Sequence, residues 1–242
     1  MRNRKLLFTT IAGILAAAFT SCIDDPEPAP LDAMSDAYIQ KKVEDGVEKY
    51  ALGLWVLANK NLDTVIVEGP EDETWELSAE NENDLRVFRY KIEDEDYTET
   101  IPAEGDYSFK VTSTQEGETP ITVKDKLTDK VLDVATIDST KFTNSGLDVH
   151  WQVVSNADNY VIRMFDEDDK MIYQGPYQLG NKDKFTVEKT GNYWATGFSP
   201  QEGDTYRLEL LAILFETGIS ESEEMYNVQS ISIATSEIEW ED

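Results

Sequence analysis

The fold of this chain is decided by residues 147–164, LDVHWQVVSNADNYVIRM. Large apolar residues occupy every second position on both sides of a polar turn: Leu147, Val149, Trp151, Tyr160, Ile162 and Met164. A period of two is typical of β-strands that bury one face. The turn at Asn156, Ala157 and Asp158 has the polar composition of a chain reversal. The stretch therefore predicts two successive strands that contribute to one core.

The same alternation recurs along the rest of the body. Residues 106–112 and 205–213 alternate in the same way, and shorter runs rich in β-branched and aromatic residues lie between turn residues. Strand runs that are interrupted every 8 to 12 residues or so are typical of an all-β sandwich. Residues 33–49 are the only helical candidate, with Met34, Tyr38 and Val43 as a sparse apolar stripe.

The second half resembles a fibronectin type III domain. The resemblance rests on residues 147–164 together with Gly203-Asp-Thr-Tyr206-Arg-Leu-Glu-Leu210, and it covers roughly residues 138–235. It implies that Trp151 and Tyr160 pack in the core. It also implies that Tyr206 forms the tyrosine corner of such sandwiches, in which a tyrosine hydroxyl bonds to the backbone just before it.

The first half resembles a more general immunoglobulin-like sandwich. Its segment Glu104-Gly-Asp-Tyr107 echoes Glu202-Gly-Asp-Thr-Tyr206, and the two tyrosines lie 99 residues apart, close to the ~100 residues of one such domain. A tandem pair explains this spacing, although chance similarity between two turns is the alternative. We therefore predict an all-β chain with two tandem sandwiches, an immunoglobulin-like one over 41–131 and a fibronectin type III-like one over 132–242.

The N-terminus resembles a bacterial lipoprotein signal peptide. Three basic residues precede an apolar run of 14 residues, which is shorter than the ~20 residues of a membrane span. Phe19-Thr-Ser-Cys22 resembles a lipobox, and the acidic stretch that follows resembles the surface-export signal of Bacteroidetes-type lipoproteins. We expect a signal peptide over 1–21, a lipid on Cys22, an acidic and proline-rich tether over 22–40, and a surface-exposed position on the outer membrane. An ordinary signal peptide is the alternative.

The strongly negative net charge of the chain argues against nucleic acid as a partner. The whole chain has 49 acidic and 21 basic residues, and three of the basic ones lie in the predicted signal peptide. Phosphate backbones are bound by basic surfaces, so nucleic acid is not expected as a partner. The predicted membrane contact is the lipid on Cys22 and not a basic patch.

The sequence offers no histidine- or cysteine-based catalytic set, and a glycosidase-type pair among its many carboxylates is the one enzymatic alternative. His150 is the only histidine and Cys22 the only cysteine, so neither a histidine-activated nucleophile nor a usual zinc site is expected. The acidic runs 93–96 and 166–169 read as solvated turns, with calcium binding as the alternative. We predict no enzyme activity, no metal and no cofactor.

The remaining candidate for function is an aromatic connection. Residues 190–200, TGNYWATGFSP, place Tyr193, Trp194 and Phe198 between two predicted strands. Aromatic loops on a rigid scaffold often bind ligands, although covering a sheet edge is their other use. We therefore expect a noncatalytic envelope protein that binds or presents a glycan or a surface protein, a plan that resembles glycan-binding accessory lipoproteins. A structural spacer or an assembly subunit of a surface polymer is the alternative.

Overall fold

A computed structural model describes residues 29–218 and 227–241. The first half contains seven strands: β1 (Ala33–Glu44), β2 (Val47–Ala58), β3 (Leu62–Glu68), β4 (Thr74–Asn81), β5 (Asp84–Arg89), β6 (Gly105–Ser113) and β7 (Ile121–Leu127). The second half contains eight: β8 (Ile137–Thr143), β9 (Gly146–Trp151), β10 (Asn159–Phe165), β11 (Met171–Gln174), β12 (Gln178–Leu179), β13 (Lys184–Glu188), β14 (Thr205–Phe215) and β15 (Val228–Glu239). A short 3-10 helix spans Asp94–Asp96. The predicted all-β class is confirmed.

The second half is a two-layer sandwich. One sheet has the order β11-β10-β14-β15, and the other has the order β13-β9-β8. Between them lie Trp151 and Tyr160, both almost fully buried, with ring centroids 5.2 Å apart. The prediction that these two rings pack in the core is confirmed. This strand order is that of a fibronectin type III-like sandwich.

The first half closes around its own core. Its strands follow the order β1-β2-β5-β4-β3-β6-β7. Leu54 of β2 and Phe88 of β5 pack in one cluster with Val65 of β3 and Phe109 of β6. Strand β1, at one end of this order, packs against β6 and β7 at the other end. The strands therefore form two layers, which are connected through β4 because it pairs with both β3 and β5.

Both halves contain a tyrosine corner. The Tyr206 hydroxyl accepts a hydrogen bond from the Gln201 N–H at 3.1 Å, as the resemblance implied. The Tyr107 hydroxyl donates to the Ala103 carbonyl oxygen at 2.9 Å. In each case the tyrosine bonds to backbone a few residues before it. The similarity between the two turns is therefore structural as well as sequential.

The two halves share a sheet. Strand β1 pairs in parallel with β15, with Ile39 opposite Ser230 and Lys42 opposite Ile233. The core cluster of the first half draws on residues up to 131, and that of the second begins at Leu132. Leu31–Asp242 nevertheless form one compact unit. Separate cores are thus joined by a continuous ladder of backbone hydrogen bonds.

The helical candidate at residues 33–49 is not a helix. This segment forms β1, a tight turn at Asp45 and Gly46 with φ of 52° and 79°, and the start of β2. Strand β1 is buried on both faces: Ile39 belongs to the first core, and Tyr38 on the other face lies against Gly53. Because both faces are covered, the usual apolar and polar alternation is weak.

The tether is shorter than predicted. Leu31 is buried in the core of the first half, and residues 33–40, which were assigned to the tether, lie in β1. Among the described residues, no helix is long and apolar enough to cross a membrane. Cys22, the predicted lipidation site, and the predicted signal peptide lie outside the described residues.

Candidate ligand-binding site

The predicted aromatic connection extends the sheet at β11. Residues 189–204 join β13 to β14, and Trp194 forms a β-bridge with Tyr173 of β11. The Gln174 N–H donates to the Tyr193 carbonyl oxygen at 3.1 Å, and the Ala195 N–H donates to the Ile172 carbonyl oxygen at 2.8 Å. These bonds satisfy backbone groups that an edge strand would otherwise leave unpaired. The connection therefore has a fixed position on the sandwich.

Trp194 anchors the connection. Its side chain is partly buried against the second core, and its indole N–H donates to the Glu188 carbonyl oxygen at 3.0 Å. The centroid of its ring lies 4.8 Å from that of Tyr173 and 5.6 Å from that of Trp240. Trp194 thus positions the site from within, with only part of its ring available to a ligand.

Phe198 also packs against Trp194. The two rings stack with centroids 5.7 Å apart, and Phe198 meets Tyr206 edge to face at 6.0 Å. Phe198 is absent from the residues that line the neighbouring cavity. Its contacts are those of a packing residue that holds Trp194 and the tyrosine corner together.

Tyr193 is the most exposed of the three predicted aromatic residues. Half of its surface is open to solvent, and its ring meets the buried Tyr173 ring with centroids 6.3 Å apart. Burial raises the pKa of Tyr173, and the neighbouring Tyr193 and Glu188 raise it further. Tyr173 is therefore a neutral hydroxyl at physiological pH, able both to donate and to accept a hydrogen bond.

A small cavity of about 140 Å³ opens beside these rings. Aromatic and proline side chains form its apolar walls, and two threonines and a glutamate supply polar groups: Tyr173, Pro176, Phe185, Thr186, Glu188, Thr190, Tyr193 and Trp194. Sites for drug-sized ligands usually measure ≈ 300–1,000 Å³, so this cavity suits one ring-sized group. Apolar walls with a few polar groups are what a sugar ring requires, since it has apolar faces and hydroxyl edges.

Sequence reasoning identified Tyr193 and Trp194 but missed their partners. Tyr173 and Phe185 lie on β11 and β13, and their approach to the connection depends on the edge pairing. A signal was present in residues 171–174, because this short strand carries an aromatic residue just before the Gly175-Pro176 break. That Tyr173 pairs with Trp194 could not be inferred from this signal alone.

The other candidates from the sequence, His150 and the acidic turn at 166–169, make contacts that belong to the fold. His150 lies on β9, half-exposed and paired with Lys184 of β13. In the acidic turn after β10, the Asp166 carboxylate accepts the Asp168 and Lys170 N–H groups at 3.1 and 3.0 Å. Within residues 29–218 and 227–241, no group of three or more His, Cys, Asp or Glu residues is arranged to hold a metal ion.

Comparisons with known proteins concern the fold only. No family model and no curated protein matches the chain. A two-domain fibronectin type III segment of chicken tenascin matches at 12% identity and TM-score 0.29, covering 86% of this chain and 99% of its own.

Two further structures match over most of the chain. The FN1–FN3 domains of chicken CNTN1 match at 16% identity and TM-score 0.30, with 88% and 66% covered. Dimeric latent PorU from Porphyromonas gingivalis matches at 11% identity and TM-score 0.29, with 88% and 20% covered. At these scores the likenesses carry no argument about function. The assignment as an all-β, fibronectin type III-like chain follows from the strand order described above.

Proposed function

We propose that this protein is a noncatalytic, lipid-anchored envelope protein that binds a ligand, a glycan or a surface protein, at the cavity beside Tyr193 and Trp194. The observation that carries the proposal is a half-exposed tyrosine ring over an aromatic cavity whose shape is set by edge pairing with β11. The lipobox-like stretch that ends at Cys22 supports a lipid anchor, and the acidic stretch after it supports a position on the cell surface.

Preorganisation supports recognition at this place. A ring that is already held loses little conformational entropy when it meets a ligand, so more of the contact energy appears as affinity. The Trp194 ring is held by its hydrogen bond to the Glu188 carbonyl and by Phe198. Of the two ligand classes, a glycan fits the cavity better, because the volume of about 140 Å³ has room for a single ring-sized group.

A spacer or assembly role is the second candidate. The observation that favours it is the parallel pairing of β1 with β15, which joins the two sandwiches into one compact unit. A body of this kind would hold an attached partner at a set distance from the membrane without contacting a soluble ligand.

Titration with a panel of neutral oligosaccharides of glucose, xylose, mannose and galactose separates the two candidates. We expect at least one oligosaccharide to bind. Tyr193→Ala should weaken this binding roughly tenfold, or about 1.4 kcal/mol, with unchanged thermal unfolding, because a half-exposed ring contributes less than a fully buried aromatic anchor. Ile101→Ala, which removes an exposed apolar side chain elsewhere, should leave binding unchanged.

Two results would count against glycan recognition at this cavity. Equal binding by wild type and Tyr193→Ala would show that the ligand does not bind in this cavity. Absence of binding across the whole panel would instead favour a protein ligand or the spacer role, and a defined envelope assembly containing this chain would then be the system to examine.

A further inference from the structure

A second concave region lies between the two halves, on the face of the shared sheet that carries Tyr38. We call it the arginine groove; its volume is about 1030 Å³, and the side chains that matter here are Tyr38, Lys42, Arg89, Arg163, Arg207 and Glu209. It shares no lining residue with the cavity beside Tyr193. A ligand here would therefore bind independently of the proposed function.

The groove concentrates the arginines of an acidic protein. The described part of the chain contains four arginines, and three of them, Arg89, Arg163 and Arg207, line the groove. The fourth, Arg86, pairs with Asp84 two residues away. The lining also contains five acidic residues, and each of them is paired with a cation other than Arg89 or Arg163: Glu44, Glu93, Asp94, Asp169 and Glu209.

Arg207 and Lys42 are already neutralised within the groove. Arg207 contacts both Glu209 and Asp169, the latter at 2.9 Å. The Lys42 ammonium lies 2.8 Å from the Asp94 carboxylate and 4.0 Å from the centroid of the Tyr97 ring. These cations stabilise the junction and have little capacity left for a ligand.

Arg163 and Arg89 differ from them. Among the described residues, Arg163 makes no ion pair within 4.0 Å, and the hydrogen bond of its Nε goes to the neutral Gln174 side chain at 3.1 Å. Arg89 reaches Glu80 through one Nη at 3.1 Å, while its Nε is buried without a hydrogen-bond partner among the described residues. The Arg89 Nε is itself out of reach of a ligand, but among the described residues the second Nη of Arg89 and both Nη groups of Arg163 have no hydrogen-bond partner, and these donors are available to a ligand.

The two arginines come from different halves and act on each other. Arg163 lies on β10, and Arg89 lies at the end of β5. Burial lowers the pKa of the Arg163 guanidinium, and the nearby Arg89 lowers it further, whereas Glu209 on the facing strand raises it. Because Glu209 is already paired with Arg207, its carboxylate only partly compensates these two like charges, and a further anion between them would be favourable.

We propose that the arginine groove binds the carboxylate of an acidic saccharide, with Arg163 and Arg89 as its two donors. Guanidinium groups match a carboxylate through paired N–H···O bonds. A long polyanion would extend over the acidic surface outside the groove and be repelled there. A short uronate oligosaccharide stays within or near the groove, and charges farther away than the Debye length of ≈ 8 Å at physiological salt are largely screened. A uronate-containing oligosaccharide fits both conditions.

The test compares tetragalacturonate with its neutral methyl ester by calorimetric titration of the purified protein. We expect the acid to bind and the ester not to bind. Arg163→Gln and Arg89→Gln should each weaken the acid roughly tenfold or more, since hydrogen bonds to charged groups contribute ≈ 1.5–3 kcal/mol. The matched control is Arg86→Gln, which removes the same charge on β5 outside the groove and should change binding less than about twofold.

Arg163→Lys provides a second variant, because it retains the charge but loses the guanidinium fork. It should fold like the wild type in thermal unfolding and still bind the acid several-fold more weakly. The proposal is overturned if acid and ester bind equally, if neither binds, or if Arg86→Gln weakens binding as much as Arg163→Gln. It is also overturned if a tetraglutamate peptide binds as tightly as the sugar with the same arginine dependence.

Discussion

Two carboxyl groups at the junction of the halves make the stability depend on pH. Glu216 follows β14, and its carboxyl hydrogen-bonds with that of Asp125 on β7. Burial, with the charge of Asp125, raises the pKa of the Glu216 carboxyl to about 7. Asp125 is the better anion of the two, because its carboxylate accepts the N–H groups of Ala37 and Lys126 at 2.7 and 2.9 Å. Glu216 therefore carries the proton and donates a hydrogen bond to the Asp125 carboxylate.

The sign and size of the effect follow from linkage. A carboxyl whose pKa is higher in the folded state stabilises the fold below its unfolded pKa, and this contribution is lost as the pH rises through the folded pKa. A change from 4.5 to about 7 corresponds to about 3 kcal/mol. Because Glu216 is partly exposed, solvent screening reduces this, and we expect a loss of about 1–2 kcal/mol between pH 5 and pH 8.

Glu216→Gln should remove this dependence, because the amide donates to Asp125 at any pH. Urea unfolding at pH 5 and pH 8 measures it: the variant should be more stable than the wild type at pH 8 by about 1–2 kcal/mol and close to it at pH 5. Glu76→Gln, which removes an exposed charge on β4, serves as the control for net charge. Equal slopes with pH in the wild type and Glu216→Gln would refute the reasoning. The pKa of the buried Asp36 is raised chiefly by burial, which is the same in both proteins, and to a smaller extent by the charge of Glu216, so the variant also loses that smaller part of the pH dependence.

Three further predictions concern the fold and the anchor. Tyr107→Phe and Tyr206→Phe should each lower the unfolding free energy by about 1 kcal/mol or slightly more in urea, since Tyr107 loses its bond to the Ala103 carbonyl and Tyr206 loses its bonds to the Gln201 N–H and the Asp204 carboxylate; a loss in only one of them would mean that the corners are not equivalent. Gly53→Ala should destabilise the protein by about 1–3 kcal/mol in thermal unfolding, because a Cβ there would lie 2.2 Å from the Tyr38 ring; an unchanged midpoint would contradict this packing. Cys22→Ala should abolish incorporation of an alkyne-tagged fatty acid in growing cells, and persistent labelling would exclude Cys22 as the anchor.

How much of the fold was predictable depends on how many faces of a strand are buried. On β9 the buried residues alternate with Asp148 and His150, and on β10 Tyr160, Ile162 and Met164 keep the period of two although Val161 on the other face is also buried, so the pattern identified both strands directly. Strand β1 is covered on both faces, and its mixture of Asp36, Tyr38 and Lys41 reads as no clear pattern. Its parallel pairing with β15 joins the two ends of the body, and local sequence does not encode such distant contacts.

The same distinction applies to the sites. Tyr193 and Trp194 were identifiable because they are adjacent in an aromatic, glycine-punctuated connection. Their cavity also requires Tyr173 and Phe185, which only edge pairing brings near. Arg89 and Arg163 could not be singled out at all, since each looks like an ordinary polar position on the outer face of a strand.

The central claim is recognition at the cavity beside Trp194, and its most direct test is an NMR titration of the protein labelled with ¹⁵N at its five tryptophans. The ligand is the tightest-binding oligosaccharide of the neutral panel. The account predicts that the indole N–H signal of Trp194 shifts on saturation while those of Trp55 and Trp75, in the first half, stay in place. A saturated complex in which the Trp194 signal does not move would contradict it.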